Sequence, residues 1–161
     1  MRYAIARLLL AGALSIATML PASADPAAET DSAKITRLLD ASGYAFEKKS
    51  DSVWTVDYTG KKLGHFKVIL ATEDGLAVVF VIVAHKADIR MDQDLALSML
   101  RLNHSLDRVK IGIDDDGDAF VRTDENVRVL DEQEFKACIE QVASSADETY
   151  ATMQPYLNAK G

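Results

Sequence analysis

Apolar residues recur along this chain at two spacings, and the switching between them lays out its elements. Ile35, Leu38 and Leu39 stand three and four apart, the spacing of one helix face, and predict a helix over 31–42. Asp31 or Ser32 can cap its free N–H groups, and Gly43 is placed to end it. The period then falls to two. Residues 44–49 alternate weakly. Residues 53–58 alternate well, with Trp54, Val56 and Tyr58 on one face and Thr55 and Asp57 on the other. Residues 65–70 put Phe66, Val68 and Leu70 on one side, and 76–85 are nearly continuous Val, Ile and Phe, the pattern of a central strand covered on both faces. Asp51, the 60–64 loop and Glu73-Asp74-Gly75 mark the turns between them.

A helical period returns over 92–105, capped by Asp92. Val109, Ile111 and Ile113 then alternate, Asp116-Gly117 signals a hairpin, and 119–123 form its return strand. The longest pattern comes last. Asp131-x-x-Glu134 reads as a capping box, and Phe135, Cys138, Ile139, Val142, Ala146, Thr149, Tyr150 and Met153 hold a helical stripe that ends near 155–157. The order is α-β-β-β-β-α-β-β-α. Hairpin links predict an α+β domain, with three helices packed on a mainly antiparallel sheet of five to six strands.

The N-terminus adds an address. Arg2 and Arg7 precede an apolar run of 13 residues, Leu8 to Leu20, too short to span a bilayer. Pro21 and Ala22-Ser23-Ala24 follow, which predicts a signal peptide over 1–24 cut between Ala24 and Asp25. The remainder divides into a linker over 25–30, a domain over 31–157 and a tail over 158–161. The expected location is periplasmic or secreted, with no stable membrane insertion after cleavage. The only cysteine is Cys138, so the leader has no lipobox and the domain has no internal disulfide. On its helical stripe Cys138 reads as a small buried hydrophobe. Cleavage leaves 16 basic against 25 acidic residues, a net charge of −9. That balance argues against nucleic acid and anionic membrane surfaces as partners.

Candidate chemistry is sparse. Asp114-Asp115-Asp116-Gly117-Asp118 could offer oxygen ligands to Ca²⁺, but an EF-hand with Gly117 sixth would need ligands at Gly112 and a Glu at Thr123. A solvated turn fits better, and no metal or cofactor is expected. His65, His85 and His104 lie about 20 residues apart and lack the close ligand pairs of zinc sites. No G-x-S-x-G, G-x-G-x-x-G or G-x-x-x-x-G-K-[ST] occurs, so neither an enzyme nor a nucleotide site is expected. The second helix stands out instead. Leu95, Met99, Leu102 and Leu106 form one stripe, and Ala96, Leu97 and Leu100 widen the apolar arc beyond the ~100° that one core face uses.

Five phrases, in this order and spacing, resemble the YbjN family. They are Leu38-Leu39-Asp40-Ala41-Ser42-Gly43-Tyr44, Val53-Trp54-Thr55-Val56, Leu100-Arg101-Leu102-Asn103, Ile113-Asp114-Asp115-Asp116-Gly117-Asp118 and the acidic cap of the final helix at Asp131. The resemblance spans about 34–157. It implies a fold similar to the class I chaperones of type III secretion and a noncatalytic module that binds protein segments or dimerises. A stress or regulatory role is implied as well. Such chaperones are cytoplasmic, whereas this chain carries an export signal. With the wide apolar arc, the resemblance makes Leu95, Leu97, Met99 and Leu102 the expected partner or homodimer interface. The alternative expectation is a small-molecule or lipid carrier using a cavity between the sheet and the C-terminal helix.

Overall fold

A computed structural model describes residues 29–158. The predicted signal peptide, its cleavage site and residues 159–161 lie outside the described residues. The element order is α1 (Asp31–Ser42), β1 (Phe46–Ser50), β2 (Val53–Thr59), β3 (His65–Glu73), β4 (Leu76–Ala84), α2 (Gln93–Ser105), β5 (Lys110–Ile113), β6 (Ala119–Asn126) and α3 (Glu132–Met153). Short 3₁₀ turns at Lys86–Asp88, Val127–Val129 and Gln154–Tyr156 join the larger elements. This is the α+β order expected from the pattern, with a six-stranded sheet. No helix among the described residues is long and apolar enough to cross a membrane.

Local chemistry explains the helix ends. Asp92 accepts a hydrogen bond from Leu95 N at 3.0 Å, and Asp131 accepts one from Glu134 N at 2.8 Å. The cap of α1 is Thr30 rather than Asp31 or Ser32. Its hydroxyl accepts from Ala33 N at 3.2 Å, while both expected residues are already helical. Gly43 stands at φ +79°, the left-handed conformation that ends a helix without a Cβ clash.

Every strand pair is antiparallel, in the spatial order β1-β2-β3-β4-β6-β5. The register sorts side chains by face. Trp54, Leu70, Val79 and Thr123 are successive cross-strand neighbours on the inner face. Ile35, Leu38 and Leu39 of α1, Leu95 and Met99 of α2, and Phe135, Ile139, Val142 and Ala146 of α3 share one core with that face. Thr55, Ile69, Phe80, Arg122 and Lys110 form a row on the outer face.

β4 is a central strand, as its continuous apolar run predicts, but its two faces are covered differently. Val79, Val81 and Val83 join the core, whereas Phe80 and Ile82 are half-buried on the outer face among flanking side chains. The strands also run longer than their alternation suggested. β3 reaches Glu73 and β6 reaches Asn126, because ladder pairing continues where side-chain alternation stops.

Candidate functional site

The four residues expected at an interface divide by helix phase. Leu95 is 0 % exposed and Met99 6 %, both within the chain's own core. They are four apart and therefore share the inward stripe of α2. Leu102 is half-buried against the same core. Leu97, at 39 % exposure, is the one of the four that faces outward. Leu95 is thus corrected from interface to core, whereas Met99, buried in the same core, also lines the groove between α2 and β5. The wide apolar arc is real, but its outward part is carried by Leu97 and by Leu100, which is 65 % exposed.

A groove of about 250 Å³ lies between α2 and β5. Met99 and Ile111 line its depth, and the exposed side chains of Met91, Leu100 and Ile113 line its mouth. β5 is an edge strand of the sheet, so its outward backbone groups need partners. Asn103 supplies them. Its Nδ2 donates to Ile111 O at 3.1 Å, and Ile111 N donates to its Oδ1 at 3.0 Å. One side-chain amide therefore takes both outward groups of Ile111, as a neighbouring strand would. Gly112 has a packing reason, since a Cβ there would meet the Phe120 ring at 2.6 Å.

The acidic turn is organised by hydrogen bonds. Asp114 Oδ1 accepts from Asp116 N at 3.1 Å and from Asp118 N at 2.8 Å. Asp118 accepts from Lys86 N at 2.9 Å and lies 2.7 Å from His85 Nδ1. The Lys86 backbone N–H, then His85, holds the Asp118 carboxyl below its usual range, and Asp118 in turn raises His85 above 6.5. These two carboxylates serve the turn and its junction with β4.

Cys138 is buried, and desolvation pushes its thiol up to about 11, so it is a poor nucleophile. Around it, Glu125, Glu134 and Cys138 bring three ligand-type atoms within 4.8 Å of one another. Arg108 fills that space. Its guanidinium donates to Glu125 Oε1 at 2.9 Å and to Glu134, and it lies 3.9 Å from the Cys138 sulfur. The arrangement works as a buttress joining the α2–β5 turn, β6 and α3. Asp131 and Glu134 therefore make only half of a capping box, since the Glu134 carboxylate turns to Arg108. Spacing could not reveal this cluster, because its members lie 17 to 30 residues from Arg108.

The family model YbjN, described as a putative bacterial sensory transduction regulator, matches residues 31–155. Two solved structures share the fold. One chain of the heterodimeric ExoU–SpcU complex from the type III secretion system of Pseudomonas aeruginosa superposes with a TM-score of 0.57 at 16 % identity, over 75 % of this chain and 98 % of that one. YbjN from E. coli, a putative transcription regulator, superposes with a TM-score of 0.56 at 17 % identity, over 77 % of this chain and 93 % of that one. No curated protein matches the sequence.

Proposed function

The chain belongs to the YbjN family, and we propose that it is a noncatalytic protein-binding module, chaperone-like in kind, that acts after export. The observation that carries this reading is the apolar groove between α2 and β5, whose mouth exposes Met91, Leu100 and Ile113 beside Leu97. Contiguous apolar side chains at a surface are a mark of protein contact sites. The shared fold of a chain from a secretion complex is in keeping with this role, as the family description is with a regulatory one. The N-terminal pattern supports export to the periplasm or beyond. The partner is another protein or a second copy of this chain.

The test is site-specific photo-crosslinking in the native compartment. A crosslinker at Leu100 or Leu97 is expected to give discrete protein adducts, and one at exposed Glu140 on α3 is not. Equal labelling from both faces, or none from α2, would overturn the reading. Export is checked separately by N-terminal sequencing of the soluble protein, with Asp25 expected first and Met1 the contrary result.

A further inference from the structure

A second concavity, of about 470 Å³, opens where β3 begins and β4 ends, and it shares no lining residue with the α2–β5 groove. Phe66, Tyr150 and Leu157 give it apolar walls, and His65, His85 and Asp88 give it ionisable groups.

Its walls are held by specific contacts. The N–H groups of Lys62 and Leu63 donate to Asp147 Oδ1 at 2.7 and 2.8 Å, which draws the β2–β3 loop onto α3. Gly60 comes so close that a Cβ there would stand 2.2 Å from the same oxygen. On the other side, Asn158 N donates to Asp88 O and Arg90 N donates to Tyr156 O, each at 2.8 Å. The C-terminal segment is thereby fastened beside the 3₁₀ turn. The β4–β6 register slips between Ile82 and Ala84, and the consecutive residues Ile82, Val83 and Ala84 all reach the cavity.

Charge narrows the ligand. His85 has Asp118 at 2.7 Å, with Asp88, Asp114 and Lys86 also near. His65 has Asp57 at 3.6 Å, and Asp57 is itself paired with Lys67 at 2.7 Å. His85 is thus served chiefly by Asp118, whereas His65 shares Asp57 with Lys67. Asp88 is exposed and enters no ion pair among the described residues. It lies near His85 and lines the same cavity as the Phe66 and Tyr150 rings, on a chain of net charge −7. A carboxylate with aromatic neighbours favours a cation with an apolar body, through Coulomb attraction and the negative ring face.

We propose that this cavity binds a small organic cation, an amine or quaternary ammonium, with its charge at Asp88 and its apolar body against Phe66, Tyr150 and Leu157. A concavity of several hundred Å³ in which apolar side chains meet convergent polar groups is a common form of small-molecule site. The site stands independently of the protein-binding reading.

The test titrates octyltrimethylammonium, octanoate and octanol into the ¹⁵N-labelled protein and follows the amides of His85, Asp88 and Leu157. The ammonium compound is expected to give saturable shifts and octanoate much weaker ones. Asp88→Asn is expected to weaken the ammonium compound by up to about fivefold, the worth of an exposed ion pair, and to leave octanol unchanged. Tyr150→Ala is expected to weaken both, with circular dichroism confirming that each variant is folded. Octanoate binding as tightly as the cation, an ammonium affinity indifferent to Asp88→Asn, or no saturable shift with any probe overturns the proposal.

Discussion

Trp54 is fully buried on the inner face of β2, paired across the sheet with Lys48 and Leu70. Its Nε1 has no hydrogen-bond partner among the described residues, so its contribution comes from apolar area and shape. Trp54→Ala is expected to cost roughly 3–5 kcal/mol. That is a large part of a typical domain's total of about 5–15 kcal/mol, and it is read from the denaturant midpoint. An unchanged midpoint would contradict the burial. This position was legible, because a period of two with Val56 and Tyr58 assigns a face. The His85–Asp118 pair was not, since its partners are 33 residues apart and meet through the β4–β6 pairing. Its pH dependence has a definite sign. His85 is raised above 6.5, so its contribution is complete below that pH and is lost as pH rises through the folded value. Asp118 is lowered below 3.8, so its contribution is complete above that pH and is lost as pH falls through the folded value. The stability difference between the wild type and Asp118→Asn is therefore expected to be widest between about pH 4 and 6.5. A difference that is flat from pH 3 to 9 would show that the pair does not act as an ion pair.

At the scale of elements, α2 shows what periodicity conveys and where it stops. The stripe of Leu95, Met99 and Leu102 assigns an apolar face but not what lies against it, and the structure puts α3 and β5 there. Core and interface ask for the same residue types, so composition alone could not separate Leu95 from Leu97. β4 is the matching case in a strand, where an unbroken apolar run was compatible with two covered faces although helices cover one. Asn103 lies within one of the phrases that carry the resemblance, yet its role needs tertiary structure, because its partner is the backbone of β5. Asn103→Ala removes a donor and an acceptor and leaves both groups of Ile111 unpaired at the sheet edge. The expected cost is about 1–3 kcal/mol, with faster hydrogen exchange of the Ile111 amide than of Val79. Unchanged exchange at Ile111 would show that solvent or the groove satisfies the edge without Asn103.

For the whole molecule, the consequence of placing α1, α2 and α3 on one face of the sheet is a surface in which α2 keeps apolar side chains on its outer flank. Leu97 and Leu100 lie three apart on that flank, and Met91 and Ile113 extend it across the groove. A monomer rarely leaves such residues contiguous and exposed. A two-fold dimer would bring the same patch of each copy together. The expected result is a homodimer by light scattering that Leu100→Asp converts to folded monomers, since a charge at that contact would be desolvated and unpaired. Leu95→Asp provides the control. Leu95 faces the chain's own core, so the same charge there is expected to unfold the domain by circular dichroism rather than merely dissociate it. The contrast separates association from folding. A wild type that is monomeric at every accessible concentration rules the dimer out, and leaves the exposed flank of α2 for a different protein.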